Sequence, residues 1–537
     1  MYVYMLLLFR YLPCAMGLVA LIVGTFGFHQ LSHESPFSTC LYQSAQLFTM
    51  NSGAVQGPIP WTLELARWLA PMATLGAVLL AIHALFFSFF TRIKTKLYRE
   101  HTILCGAGER GFAIATQIHE HGNKVVVVDS DQANTLLPKL RSLGIPVLVG
   151  DALNEVILAQ AGMKHAQRLI GTCGLDETNL KIAGNLSGSY DGEIIVAVEK
   201  PELRSLFRDQ IGSGKDQSSV KMMGFQFRAA KRFFYSLAAH FCIQPTKVKS
   251  GIHIFLEVKD CLLEDFIRAA SLMLQISGEI KPKISILSAS QAIKENFTLR
   301  YPGASLVADF IWLDHCPSKT APSDRKPIYD AAVFCCNDDM ASLERADLFN
   351  NLSLCNRRNI FACLLKPSNA TFLSRTAFAS SNSFQCLDLI AYSFGDQDPL
   401  DGHLEQEAIK LHHDYVKREI RKDPSWARLP EDWRFLDESF RDSNRLQAAH
   451  LEIKRLTWEA FPSDQKDALL DQLTRAEHMR WMADKVMHGW RWSGSMDPSS
   501  RDDRKRIHHL LVPFQNLSEE EKNKDRDPIR TFLEAKS

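Results

Sequence analysis

Apolar and polar positions change rhythm several times along the chain, and each change marks a different kind of element. Tyr11 to Phe28 and Trp68 to Phe90 carry no charged residue. At about 1.5 Å per residue, each can cross most or all of a hydrocarbon core of about 30 Å. Beyond residue 100 short apolar runs take over, His101 to Cys105 and Lys124 to Val128, separated by helical patterns. Alternation of this kind predicts a parallel α/β sheet. It restarts near residue 249, with strands expected at Ile252–Val258, Lys283–Leu287, Tyr329–Cys336 and Asn359–Leu365 and helices at Leu262–Gln275 and from near Ala341. From residue 390 the chain turns polar and helical, with helices expected within Trp433–Phe461 and Leu470–Met487. The expected domains are 1–98, 99–247, 248–400 and 401–537.

Arg92, Lys94, Lys96 and Arg99 follow the second apolar stretch directly. By the positive-inside rule they place the C-terminal body in the cytoplasm, and two spans return the N-terminus there. A multi-pass protein of the cell (inner) membrane, both termini cytoplasmic, is expected. The first stretch is not read as a signal peptide, because its apolar character runs from Met1, broken only by Arg10, without a small-residue cleavage site. Between the spans, Phe37 to Phe48 predicts a short amphipathic helix, followed by Thr49, Met50, Asn51, Ser52 and Gly53. Span, short helix, glycine-containing loop and span resembles the ground plan of pore-loop cation channels, which implies a re-entrant loop over 37–57 lining a water-filled path. The run FTMNSGA has one glycine where a TVGYG-like potassium filter has two, which puts potassium selectivity in doubt. The alternative is a loop packed on the membrane surface.

Composition narrows the classes. A chain of 537 residues has room for about three or four domains. Lys+Arg 62 against Asp+Glu 61 leaves a charge of +1, so there is no global basic field and no nucleic-acid partner is expected. Hydrophobic content of 46% argues against extended disorder. The 12 cysteines contain no CxxC pair, and Cys105, Cys335 and Cys363 sit in apolar runs as reduced core residues. No zinc spacing, HExxH, GxSxG or P-loop occurs, so neither a metal nor an enzymatic activity is expected.

The chemistry concentrates at Gly106-Ala107-Gly108-Glu109-Arg110-Gly111, between the His101–Cys105 strand and a helix, with Asp129 ending the next strand. Gly106 permits a tight turn, Gly108 lets the backbone approach a pyrophosphate, and Gly111 lets helix and strand pack closely. With Glu109 and Arg110, these residues form the candidate phosphate cradle, and Asp129 is placed to accept hydrogen bonds from ribose hydroxyls. Gly150-Asp151-Ala152, Leu158 to Gly162, Leu169-Ile170 and Asp176 to Asn179 follow in order. Over about residues 101–200 the set resembles a TrkA-N (RCK) domain, the cytoplasmic regulator of potassium channels and transporters. That resemblance implies a Rossmann-like fold and a pocket for NAD(H) or an adenine nucleotide that drives conformational change. It adds Asp151, near the adenosine moiety, and Thr172 to the site.

In the second α/β stretch Lys259-Asp260-Cys261-Leu262 replaces the glycines, so a degenerate Rossmann-like lobe with a structural or dimerising role is expected. Further on, Ala476 to Trp481, His488 to Trp492, His509 to Phe514 and Glu519 to Lys522 resemble, over about 425–537, the RyR domain of ryanodine receptors. Glu477, Arg480, Trp481 and Trp490 would either cage a planar, charged small-molecule ligand or form the core and helix clamp of the module. Together these features predict a nucleotide-regulated, channel-like membrane protein for cation transport, with potassium one candidate ion, in which a ligand of the RyR domain also biases gating. It would work as a homo-oligomer, a tetramer or dimer of dimers. The alternative is a membrane-anchored nucleotide or second-messenger sensor without conduction.

Overall fold

The computed structural model describes residues 2–32, 34–51, 58–200, 202–204, 206–207, 220–287, 290–317, 328–366, 369, 384–393, 402–422, 430, 432–433, 436 and 438–536. The chain divides into two units, Met1–Leu97 and Tyr98–Ser537.

The first unit is helical: α1 (Tyr2–Leu31), α2 (Phe37–Gln46) and α3 (Trp61–Leu97). Leu12–Leu31 and Trp61–Ile82 are long and apolar enough to cross a membrane. Leu18, Ile22, Phe26, Trp68, Met72 and Leu75 are all exposed, where the core helix of a soluble protein would hide such side chains. The expected short helix is present, and its buried Ser44 donates from Oγ to the Leu21 carbonyl at 3.0 Å. Two glycines of α1 permit the close fit. A Cβ on Gly24 would lie 2.4 Å from Ser44 Oγ, and one on Gly27 would lie 2.7 Å from the backbone nitrogen of Leu63. Gly27→Val is therefore expected to lower the thermal midpoint of the detergent-solubilised protein, at a cost of about 1–3 kcal/mol from overpacking. Gly17→Ala, whose Cβ would meet Phe48 at an ordinary 3.4 Å, serves as the silent control. The basic stretch that follows the second apolar run is helical to Leu97, as the last turns of α3.

The second unit holds two six-stranded parallel sheets. In the first, β1 (His101–Cys105), β2 (Val125–Asp129), β3 (Val147–Val149), β4 (Ala166–Gly171), β5 (Glu193–Ala197) and β6 (Val220–Met223) lie in the order β3-β2-β1-β4-β5-β6. All five residues of β1 are buried, as helices on both faces of a parallel sheet require. The second sheet repeats that order with β7 (His253–Val258), β8 (Lys283–Leu287), β9 (Asp309–Leu313), β10 (Ala331–Cys335), β11 (Ile360–Leu364) and β12 (Gln385–Asp388), running β12-β11-β10-β7-β8-β9. Both sheets follow the dinucleotide-fold order, which reverses direction between the first and fourth strands.

The helix Phe225–Cys242, placed with the first lobe by the sequence, packs in the second lobe's core. Its Ala230, Phe234, Leu237 and Phe241 recur at helical spacing and join Leu263, Phe266 and Ile267 of the helix Asp260–Met273. The C-terminal module consists of the helices Glu438–Ala460, Lys466–Val486 and Glu519–Lys536 and a two-stranded ladder of Arg491–Trp492 with Ile507–His508.

Candidate functional site

The first sheet opens at the reversal between β1 and β4, and the glycine turn sits there. Gly106 has φ +96°, and a Cβ would meet Cys173 N at 2.8 Å, so no other residue fits. Gly111 packs its helix, α4 (Glu109–Glu120), onto the turn, since a Cβ would lie 2.0 Å from Gly106 O. Gly108 differs from both: it is exposed, has an ordinary φ of −62°, and a Cβ would find nothing within 4 Å. Space is therefore kept open at the N-terminus of α4, where the first backbone bond runs only from Phe112 N to Gly108 O. The preceding amides have no acceptor within the helix, and the helix dipole points positive toward the opening.

Several side chains hold this turn. Asp129 accepts from Ala107 N at 2.6 Å through Oδ2 and from Asp131 N at 2.8 Å through Oδ1. Its first task is thus to fix the loop, and only its remaining lone pairs face outward. Thr172, expected at the ligand, instead donates its hydroxyl to Gly106 O at 2.8 Å and is buried. Asp151 is exposed at the start of the loop after β3, where Oδ1 accepts from Leu153 N at 2.9 Å. Glu109 is exposed in the first turn of α4. Arg110 turns away to Glu199, 2.6 Å off, and lies over the Phe225 ring. Burial, followed by the Asp129 and Asp151 charges, pushes the Cys173 thiol up to about 11, so both carboxylates face the same end of the sheet.

The sequence reading missed Asn134, whose Nδ2 donates to Ala107 O at 3.0 Å, and the lock formed by Asn179 and Asp176. Buried Asn179 accepts from Cys173 N at 2.9 Å, while Asp176 accepts from the backbone nitrogens of Glu199 and Lys200 at 3.0 Å each. The second lobe repeats the lock: Ser342 Oγ accepts from Cys336 N at 2.9 Å, and Asp339 accepts from Leu365 N at 2.7 Å and Lys366 N at 3.2 Å. The shared spacing Cys-x-x-Asp-x-x-Asn/Ser, at 173–179 and 336–342, was a readable signal. The lobes part at the first turn. Cys105 pairs with Gly171 and Val258 with Cys335, so Lys259 and Cys261 stand at the positions of Gly106 and Gly108. The helix there starts at Asp260, without an intervening loop.

In the C-terminal module the predicted residues do come together, as a clamp. Glu477 accepts from Lys454 Nζ at 2.7 Å and from Arg480 Nε at 3.0 Å, and all three are buried. Burial raises the Glu477 carboxyl, but Arg480 and Lys454 more than offset this and hold it at about 2. The aromatic cage is filled by the chain itself. The His508 ring sits 5.0 Å from Trp481 and 5.9 Å from Trp490, because the Trp492–His508 register brings it there. In the first unit, Thr49 donates to Gln46 O at 2.8 Å, Met50 takes a left-handed conformation (φ +60°), and Asn51 N bonds Gln46 O. Ser52 and Gly53 lie outside the described residues.

Comparison with known proteins agrees with this division. The TrkA-N domain family model matches residues 102–215 and the RyR domain family model residues 461–535. An uncharacterized protein of Methanothermus fervidus is 24% identical over 252 residues, covering 44% of this chain and 38% of its own length. Potassium channel protein 1 of Methanocaldococcus jannaschii is 29% identical over 125 residues, 23% of this chain and 37% of its own. The chain thus spans less than two fifths of the length of either relative. Among solved structures, the GsuK channel bound to NAD is similar at 13% identity over 73% of this chain and 82% of that one, with a TM-score of 0.35. GsuK bound to ADP is similar at 13% over 73% and 97%, with a TM-score of 0.34. With both family models falling on the segments whose geometry has just been described, the chain carries a TrkA-N domain and, C-terminal to it, a RyR domain.

Proposed function

We propose that the protein is a nucleotide-regulated, channel-like membrane protein in which NAD(H) or an adenine nucleotide binds at the glycine turn. The observation that carries this reading is the open cradle at Gly108 between two glycines that are closed by packing. The residues present fit a dinucleotide or nucleoside diphosphate. The pyrophosphate would lie on the amides of α4, and the sugar would face Asp129. Bound nucleotide would favour one arrangement of the cytoplasmic lobes, and α3, continuous to Leu97, would carry that bias toward the apolar helices. The exposed apolar belts of α1 and α3 suit lipid and further copies of the chain, as a conducting tetramer or dimer of dimers requires. The stretch shared with a potassium channel protein supports cation transport. A regulatory rather than enzymatic role fits the two thiols at the turn: burial pushes both Cys105 and Cys173 up, Cys173 to about 11, which makes them poor nucleophiles at neutral pH.

Calorimetry with NAD, NADH, ADP and ATP on the detergent-solubilised full chain tests the site. Asp129→Ala is expected to weaken binding by about 1.5–3 kcal/mol, as the turn loses a charged anchor for Ala107 N–H. Unchanged affinity would remove Asp129 from the site. Ion flux into liposomes, with and without the bound nucleotide, tests conduction. Flux no greater than in empty liposomes under every nucleotide would leave the tethered sensor as the reading.

A further inference from the structure

A line of charged side chains leads from the glycine turn to the RyR domain. Arg110, in the first turn of α4, is paired with Glu199, and only about a fifth of the Glu199 side chain is exposed (20%). The other Glu199 oxygen accepts from Gln226 N at 3.2 Å, the start of the helix Phe225–Cys242. Arg204 donates through Nη1 to the carbonyls of Val198 and Glu199 and through Nη2 to Asp265 at 2.8 Å. Gly224 makes the room for it, since a Cβ there would lie 2.1 Å from Arg204 Nη1. Asp265 is 3.7 Å from Arg268, whose Nε donates to Met487 O at 3.3 Å, at the end of the Lys466–Val486 helix. Arg268 also lies over the rings of Phe227 and Tyr301.

We propose that these residues couple the glycine turn to the RyR domain: an anion seated on α4 competes with Glu199 for Arg110, and the change passes through Arg204, Asp265 and Arg268 to the last turn of the Lys466–Val486 helix. The proposal rests on the nucleotide reading of the turn. Arg110 belongs to the first turn of α4, the end at which a phosphate would sit, and its guanidinium is held off that end by Glu199, so a seated anion draws on the same cation. Burial already pushes the Glu199 carboxyl above its usual range, opposed by Arg110 and Arg204. Without Arg110, the other cation that opposes this is Arg204, which also serves Asp265, a residue 1% exposed. Arg204, which gives Nη1 to the Glu199 carbonyl and Nη2 to Asp265, would then be drawn between the two carboxylates, and bonding one or the other supplies the two arrangements that coupling requires. Arg268 is well placed as the reader, because a guanidinium on a helix's last carbonyls stabilises that end.

Hydrogen exchange of the full chain, with and without saturating ADP or NAD, reads the effect at amides 484–490. Bound nucleotide is expected to change exchange there by about fivefold or more, the lower end of ordinary coupling. Glu199→Gln, which keeps a hydrogen-bonding side chain but not the charge, is expected to bind nucleotide more tightly, by about fivefold, and to lose the response at 484–490. Arg268→Lys should lose the response as well. Calorimetric binding with unchanged exchange at those amides overturns the coupling alone, as does a Glu199→Gln variant that binds no more tightly. Absence of calorimetric binding of any of these nucleotides to the wild-type chain overturns the nucleotide reading and the coupling with it.

Discussion

Gly108→Asp is expected to abolish nucleotide binding while leaving the unliganded protein folded and slightly more stable. The backbone at 108 has an ordinary φ of −62° and a built Cβ touches nothing, so the side chain costs no packing. Gly108 is also the N-cap of α4 and makes no side-chain cap bond. Asp is among the best N-caps, so the variant gains about 0.3 kcal/mol or more over Gly. The same carboxylate would lie against the ligand's phosphates. Like charges about 4 Å apart in a partly screened site repel by about 4 kcal/mol, or about a thousandfold in affinity. A thermal shift assay separates the two effects. Wild type at a nucleotide concentration of a hundred times Kd should gain about 2.7 kcal/mol, and the variant nothing. A variant that still shifts with nucleotide would place the ligand elsewhere. Gly111→Ala supplies the contrast: its Cβ would collide with Gly106 O, and it should melt early with or without ligand.

Glu477→Gln should destabilise the RyR domain by about 3–5 kcal/mol, because it removes the carboxylate hydrogen-bonded to both buried cations, Lys454 and Arg480. That is a large share of the stability of any single domain. Exchange rates along the Lys466–Val486 helix read it without assuming that the whole chain unfolds in one step. The pH dependence gives a second signature. The folded-state value of about 2 lies below the ordinary 4.5, so the carboxylate's contribution is complete above about pH 4.5 and is lost as pH falls toward 2. Wild type should approach the variant's stability across that window. Asp484 and Asp525 flank the cluster and titrate in both proteins, so the difference between the two curves reports Glu477. A constant difference from pH 7 to pH 2 would show that Glu477 carries no such charge.

Much of the architecture was visible in the chain's pattern. The glycine turn, the two apolar stretches, the short helix between them and four strands of the second sheet could all be read from local composition. Strands β9 and β12 were missed. Both lie at sheet edges and are only partly covered: Gln385–Asp388 lacks the apolar run of a central strand, whereas Phe310 to Leu313 has one that was passed over. Thr172 was placed at the ligand because its position matches a family motif. Its hydroxyl is consumed by Gly106 O, a contact across 66 residues that spacing cannot reveal. The choice between an aromatic cage and a packed core, which the sequence left open, also turns on a distant contact. The short ladder of Arg491–Trp492 with Ile507–His508 brings the His508 imidazole against both Trp481 and Trp490, which favours the core.

Local physics settled where the chain can bend and what it must hide. A turn with φ +96° admits only glycine, and runs such as VVVVD are buried in whatever sheet they join. Those facts belong to a few neighbouring residues and survive in the sequence alone. Which charge meets which belongs to the assembled lobes. Arg204 and Asp265 are 61 positions apart, and Arg268 and Met487 are 219 apart. An ion pair depends on distance in space, which only the packing of two sheets and a helical module against each other can set.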